Sequence, residues 1–172
     1  MRFKPKHQCA VAHRNLGDVF QQQGQGERAV EHYKKALSYD PYMESAYSNL
    51  GVAYIQLGKH DLAINHLNKA LDLDPDYTDA LNNLAWLLAA AEDRKIRNAG
   101  KAIELAQRAC ELSGHDNYDF LDTLSIAYAA ESRFTEAIDV AGRAVELARS
   151  AGRQQLVHEI KDRIERYKKN QP

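Results

Sequence analysis

The sequence predicts an all-α protein, an α-solenoid of about four stacked helix hairpins closed by a C-terminal capping helix. Three observations carry that prediction. The 172 residues include 25 Ala and 18 Leu, against seven Val, eight Ile and three Thr, so strong helix formers far outnumber the β-branched residues that favour strands. Four Pro and nine Gly are too few for a turn-rich sheet protein. Most decisive is internal repetition, because Asn15-Leu16-Gly17 recurs as Asn49-Leu50-Gly51 and again as Asn83-Leu84-Ala85, each time 34 residues on.

The same period runs through the rest of each unit. Ala29, Ala36 and Pro41 recur as Ala63, Ala70 and Pro75; a third pass gives Ala102 and Ala109, and a fourth Tyr128, Ala137 and Ala144. Five residues are added in the third pass, near 92–98. The spacing predicts units over 10–43, 44–77, 78–117 and 118–151, after an N-terminal extension over 1–9 and before a cap over 152–172. Within a unit two apolar-periodic segments alternate with breaks at Gly24, Gly58 and, in the fourth, Glu131-Ser132-Arg133, which reads as two helices and a tight turn. Gly17, Gly51, Ala85 and Ser125 are small where the two helices of a hairpin approach, and Ala29, Ala63, Ala102 and Ala137 face them. Phe20, Tyr33, Tyr54, Leu67, Leu88 and Tyr128 are the larger knobs. Asp40-Pro41 and Asp74-Pro75 end the second helices, since Pro lacks the amide donor and biases its predecessor away from helix. One hairpin cannot bury its own apolar face, so neighbours must stack.

This pattern resembles the tetratricopeptide repeat family, whose 34-residue unit carries a Leu-Gly pair, a Tyr, spaced alanines and a closing Pro. The resemblance covers roughly 10–151 and implies a right-handed superhelix that binds other proteins. Units one and two match closely. Unit three has Ala85 for the glycine and the 92–98 insertion, and unit four has Ser125 and lacks the closing Pro, with Arg149 there. The Leu84-Ala85-Trp86-Leu87-Leu88 stretch is similar to bacterial members. Beyond the units, 153–169 predicts one amphipathic helix with Leu156, Ile160, Ile164 and Tyr167 along its apolar stripe. Glu159, Lys161, Asp162, Arg163, Glu165 and Lys168 fall on the opposite, solvated face.

Charge and composition exclude several classes. Lys and Arg number 23 against 24 Asp and Glu, a net charge of −1, whereas a polyanion binder needs a surplus of cations; nucleic acid is not an expected partner. No apolar run approaches the roughly 18 residues of a spanning helix, and no apolar stretch follows the charged start, so neither membrane insertion nor a signal peptide is expected; the chain as given fits the cytoplasm, or a soluble piece of a larger protein, and the sequence does not name the compartment. Cys9 and Cys110 are too few and too far apart for a disulfide framework. Ser113-Gly114-His115-Asp116 contains the letters of a catalytic triad, but neighbours in one turn cannot take up relay geometry. Gln23-Gly24-Gln25-Gly26 lacks the Lys and Ser/Thr of a phosphate loop. His7, Cys9 and His13 have metal-like spacing without a clear fourth ligand, and His32, His60, His66 and His158 read as scattered and solvated. The sequence therefore predicts no catalytic residue, no metal and no cofactor, and a chain that is not an enzyme.

What remains is surface. The resemblance implies that first helices line a concave groove, placing Arg14, Asn15, Asp18 and Gln22 there from unit one and Ser48, Asn49, Val52 and Gln56 from unit two. Unit three offers Asp79, Asn82, Asn83 and Trp86, and unit four Asp119, Asp122, Thr123 and Ile126. Asn15, Asn49 and Asn83 form a ladder whose amides can donate to and accept from a peptide backbone; alternatively, Asn merely suits the helix surface there. Trp86 is the single tryptophan and reads either as a binding anchor or as packed under the 92–98 loop. Chaperone-docking relatives hold an acidic peptide terminus with Lys, Asn, Asn, Lys and Arg; this chain has Arg14, Asp18, Asn49, Asp79 and Asn83 at those positions. With Asp79, Asp119 and Asp122 in its C-terminal half, such a groove suits a basic or apolar segment of a protein partner. Self-association, through the C-terminal helix or the open first hairpin, and a regulatory module of a larger enzyme or membrane protein are the alternatives.

Overall fold

The computed structural model describes residues 4–172, and every regular element among them is an α-helix. In order they are α1 (Lys4–Gln22), α2 (Gly26–Tyr39), α3 (Glu44–Gln56), α4 (His60–Leu73), α5 (Thr78–Ala90), α6 (Ala99–Leu112), α7 (Tyr118–Ala130), α8 (Phe134–Ser150) and α9 (Gln154–Tyr167). The first compact unit runs to Asn83 and the second begins at Leu84, within α5. Helix α1 starts at Lys4, so residues 4–9, expected as an extension, are already helical; Met1–Phe3 lie outside the described residues.

In the first unit α1 pairs with α2 and α3 with α4, while α2 packs on α3. The small residues set the approach. A Cβ on Gly51 would lie 2.7 Å from Leu67 Cγ and 3.3 Å from the Ala63 carbonyl oxygen, and one on Gly17 would overlap the Tyr33 ring. Ala29, Ala63, Leu67 and Tyr33 are buried accordingly. Asp40 and Asp74 close α2 and α4 alike: Asp40 Oδ1 accepts from Tyr42 N at 3.1 Å and Asp74 Oδ1 from Asp76 N at 3.0 Å. These aspartates cap the turns that the following prolines open.

In the second unit α6 packs on α7, α7 pairs with α8, and α8 is covered by α9. Ala102, Ala137 and Ser125 are fully buried, as their register requires. Asn98 and Asn117 cap α6 and α7, accepting from Lys101 N and from Asp119 N and Phe120 N. Ser132 takes a left-handed φ of 61°, where the first hairpins have Gly24 at 71° and Gly58 at 68°. The fourth hairpin thus makes the same turn without a glycine, at some conformational cost. The 92–98 insertion is a compact turn: Asp93 accepts backbone bonds from Ile96 and Arg97, and Arg97 Nε donates to the Ala91 carbonyl at 2.9 Å.

The cap differs from its expectation in phase. Val157, Ile160 and Tyr167 are buried while Leu156 and Ile164 are only partly so. Arg163, placed by the sequence on the solvated face, is turned inward with 18% of its side chain exposed. It lies three residues after Ile160 and four before Tyr167, at the flank of the buried stripe rather than opposite it.

Candidate peptide-binding faces

In the first unit three of the predicted groove residues, Arg14, Asp18 and Asn49, form one polar cluster with Tyr33 and Gln21. Asp18 Oδ2 accepts from Arg14 at 3.0 Å, and Oδ1 accepts from the Tyr33 hydroxyl at 2.9 Å and from Asn49 Nδ2 at 2.7 Å. The Tyr33 hydroxyl also reaches Gln21 Oε1 at 2.8 Å. Burial, then the Asp18 hydrogen bond and charge, push the Tyr33 phenol far above its usual range. A shallow cavity of about 200 Å³ opens here, lined by Asp18, Gln21, Gln22, Tyr33 and Asn49. It presents acceptors: the Asp18 carboxylate and the side-chain oxygens of Gln21 and Asn49.

The asparagine ladder is uneven. Asn15 is exposed, Asn83 is half-buried, and Asn49 has its donor committed to Asp18. Asn49 therefore acts in a contact between first helices, and its carbonyl oxygen rather than its amide donor is left for a ligand. Ser48 and Asn82 point inward, each with a buried oxygen that has no partner. Val52 is half-buried and Gln56 exposed. Asp79 is exposed, with the Tyr77 hydroxyl 3.5 Å from Oδ2; burial and the carboxylates of Asp79 and Glu44 push the Tyr77 phenol up to about 12.

In the second unit Asp122 is not an open acid. The Arg163 guanidinium from the cap donates to its Oδ1, and the carboxylate is only 14% exposed. Burial pushes the Asp122 carboxyl above the usual range against the opposing pull of Arg163. This contact reproduces the Asn49–Asp18 arrangement: a polar side chain on one helix reaches the aspartate of the preceding first helix. Helix α9 thus docks as a lone first helix would. Asp119 remains exposed, and Thr123 is buried. Ile126 is half-buried and lines a cavity of about 380 Å³ with Ala89, Ala129 and Tyr167 as apolar wall and Arg97, Arg163 and Arg166 as cations. None of Arg97, Arg163 and Arg166 was marked by the sequence as a binding residue, because a cap helix and an insertion lie outside the repeat register. Trp86 is 41% exposed, an indole offered at the surface.

Two of the histidines expected to be solvated, His32 and His66, instead pack against neighbouring rings. His66 stacks between Tyr47 and Tyr54, with ring centroids 6.0 and 5.4 Å away. His13 and His32 meet through Nδ1 atoms 3.2 Å apart, and His7 bonds Asp40. No cluster of three or more metal-ligating side chains occurs among the described residues.

Against this geometry the family comparison is direct. Tetratricopeptide repeat models match residues 45–77 and 66–104, and a TPR repeat model matches 17–58. The chain belongs to the tetratricopeptide repeat family. Solved TPR structures align over most of it. The first TPR of Spaghetti (RPAP3), bound to the HSP90 peptide SRMEEVD, is 26% identical with a TM-score of 0.64 over 73% of this chain and 95% of its own. PilF of Pseudomonas aeruginosa is 19% identical with a TM-score of 0.71, over 95% of this chain and 78% of its own. A MamA structure is 22% identical, TM-score 0.66, over 84% and 81%. No curated protein matches the sequence. The last two likenesses show the TPR fold alone. The RPAP3 likeness adds a relative whose repeats hold a peptide.

Proposed function

We propose that this TPR protein is a non-enzymatic interaction scaffold that holds an extended, basic or apolar segment of another protein on its first-helix faces. The observation that carries the reading is the Asp18 cluster: Asp18, Gln21 and Asn49 line one cleft, and with Asp18 and Gln21 already accepting from Arg14, Tyr33 and Asn49, the Asn49 side-chain oxygen is left to accept from a segment's backbone N–H or cationic side chain. Asp79 and Asp119 are exposed carboxylates of the same sign, and Trp86 supplies an aromatic contact of the kind that dominates binding energy. The acidic peptide of the RPAP3 relative is disfavoured, because Asp18 and Asp79 stand where the chaperone-docking pattern has a neutral amide and a cation.

The test is affinity capture from the source organism's lysate, with wild type beside an Asn15→Ala, Asp79→Lys, Trp86→Ala variant. All three side chains are exposed, so circular dichroism should match between the two. A partner retained by wild type and lost by the variant supports the scaffold reading. Equal retention by both refutes the assigned face, and preference for peptides ending in free acidic residues refutes the assigned chemistry.

A further inference from the structure

The cavity of about 380 Å³ in the second unit lies where α5, α7 and α9 end. Ala89 of α5, Ile126 and Ala129 of α7 and Tyr167 of α9 give it an apolar wall. Arg97 of the insertion and Arg163 and Arg166 of α9 add three guanidinium groups, and no Asp or Glu is among the described residues that line it. Arg163 is already paired with Asp122. The other two charges are not neutralised. Arg97 commits only its Nε, to the Ala91 carbonyl, and the Arg166 side chain makes no hydrogen bond or ion pair among the described residues. Arginines near helix C-termini commonly serve the last carbonyls and the helix dipole. Here backbone donors take that role: Leu88 O accepts from Asn98 N at 2.9 Å, Ala129 O from Ser132 N at 2.9 Å, and Arg166 O from Lys169 N at 2.9 Å and Gln171 N at 3.1 Å. The Arg97 and Arg166 heads are left for a ligand.

We propose that this cavity binds a small amphiphilic carboxylate, its head held by Arg97 and Arg166 and its body laid against the apolar wall. Charge and size select that class. A planar carboxylate accepts parallel bonds from a guanidinium fork, and a head shared by two unneutralised cations offsets their mutual repulsion. An apolar body takes the wall out of water, which a bare anion does not. The volume falls at the lower end of the roughly 300–1,000 Å³ of ligand pockets, room for one or two rings. Because its Nε bond already holds Arg97 to the insertion, less side-chain freedom is lost on binding. The site is opposite in charge to the Asp18 cleft and stands independently of the scaffold reading.

Isothermal titration calorimetry of the full chain with 2-naphthoate, one carboxylate on a fused aromatic body, tests the proposal. Wild type should bind a single equivalent with a Kd of about 1 mM or tighter. Naphthalene-2-carboxamide, the body without the charge, and acetate, the head without the body, should each bind roughly tenfold more weakly or worse. Arg166→Gln should weaken naphthoate by roughly tenfold. Its side chain is exposed and unpaired, so circular dichroism and the melting temperature should hold. Lys161→Gln, on the same helix but outside the cavity, should bind like wild type. Absence of saturable naphthoate binding overturns the proposal. So does carboxamide or acetate binding as tight as naphthoate, an Arg166→Gln variant that binds like wild type, or a loss caused by Lys161→Gln. A peptide with an internal glutamate beside leucine that displaces naphthoate at far lower concentration overturns it as well, making the cavity a protein-docking site.

Discussion

Replacing Arg163 with Leu tests whether the cap is held to the fourth hairpin by a buried ion pair. The change leaves the Asp122 carboxylate, only 14% exposed, with no cation. Breaking a fully buried pair costs about 3–5 kcal/mol, whereas an exposed pair is worth about 0–1 kcal/mol. The Arg163–Asp122 pair lies near the buried end of that range, but Arg163 Nε is itself a buried donor without a partner, and Leu removes that cost. A net loss of about 2 kcal/mol at neutral pH follows, a fall in melting temperature of roughly 4–8 °C for a chain of this size. The pH dependence separates this cause from lost packing. With Arg163 gone, burial acts on Asp122 unopposed, so its folded pKa rises further above the unfolded value of about 3.9. A carboxylate raised on folding binds more protons in the folded state. Its penalty is therefore full above the raised pKa, shrinks as pH falls through it, and is gone below about 3.9. Urea unfolding followed by far-ultraviolet circular dichroism at pH 7.5 and 4.5 measures the gap between wild type and variant at each pH. The gap should shrink at the lower pH, and adding Asp122→Asn should recover most of the loss at pH 7.5. An equal gap at both pH values, or a double variant as unstable as the single one, would refute the reasoning.

Gly51→Ala should destabilise the chain by about 1–3 kcal/mol in denaturant unfolding, since its Cβ would sit 2.7 Å from the buried Leu67 Cγ. Thiol titration with Ellman's reagent at pH 8 should count one reactive cysteine in the native chain and two in guanidinium, because Cys9 is exposed whereas Cys110 is buried with its thiol pushed up to about 11. His66 is held below its usual pKa by burial and then by Lys34. The stability this confers is present above pH of about 6.5 and is lost as pH falls. His66→Phe should therefore flatten the stability profile between pH 7.5 and 5, read by urea unfolding.

The 34-residue period records where small side chains allow two helices to meet, as in the α1–α2, α3–α4 and α7–α8 pairs. Gly51 against Leu67 and the alanines at 29, 63, 102 and 137 are local consequences of that spacing, and their burial follows directly. Departures from register remained readable where chemistry could substitute, as at Ser132, which adopts the glycine's φ. The candidate faces were legible as positions and not as states. Asn49 reaches Asp18 across 31 residues, and Arg163 reaches Asp122 across 41. Whether an aspartate on a first helix is open or paired depends on the rotational phase of a neighbouring helix. That phase is set by which apolar residues pack, here Val157, Ile160 and Tyr167 rather than Leu156 and Ile164. By itself the sequence determined a repeat protein, since periodicity and composition are properties of the chain. Only the tertiary structure decided which aspartates are paired, because that depends on contacts between side chains on different helices.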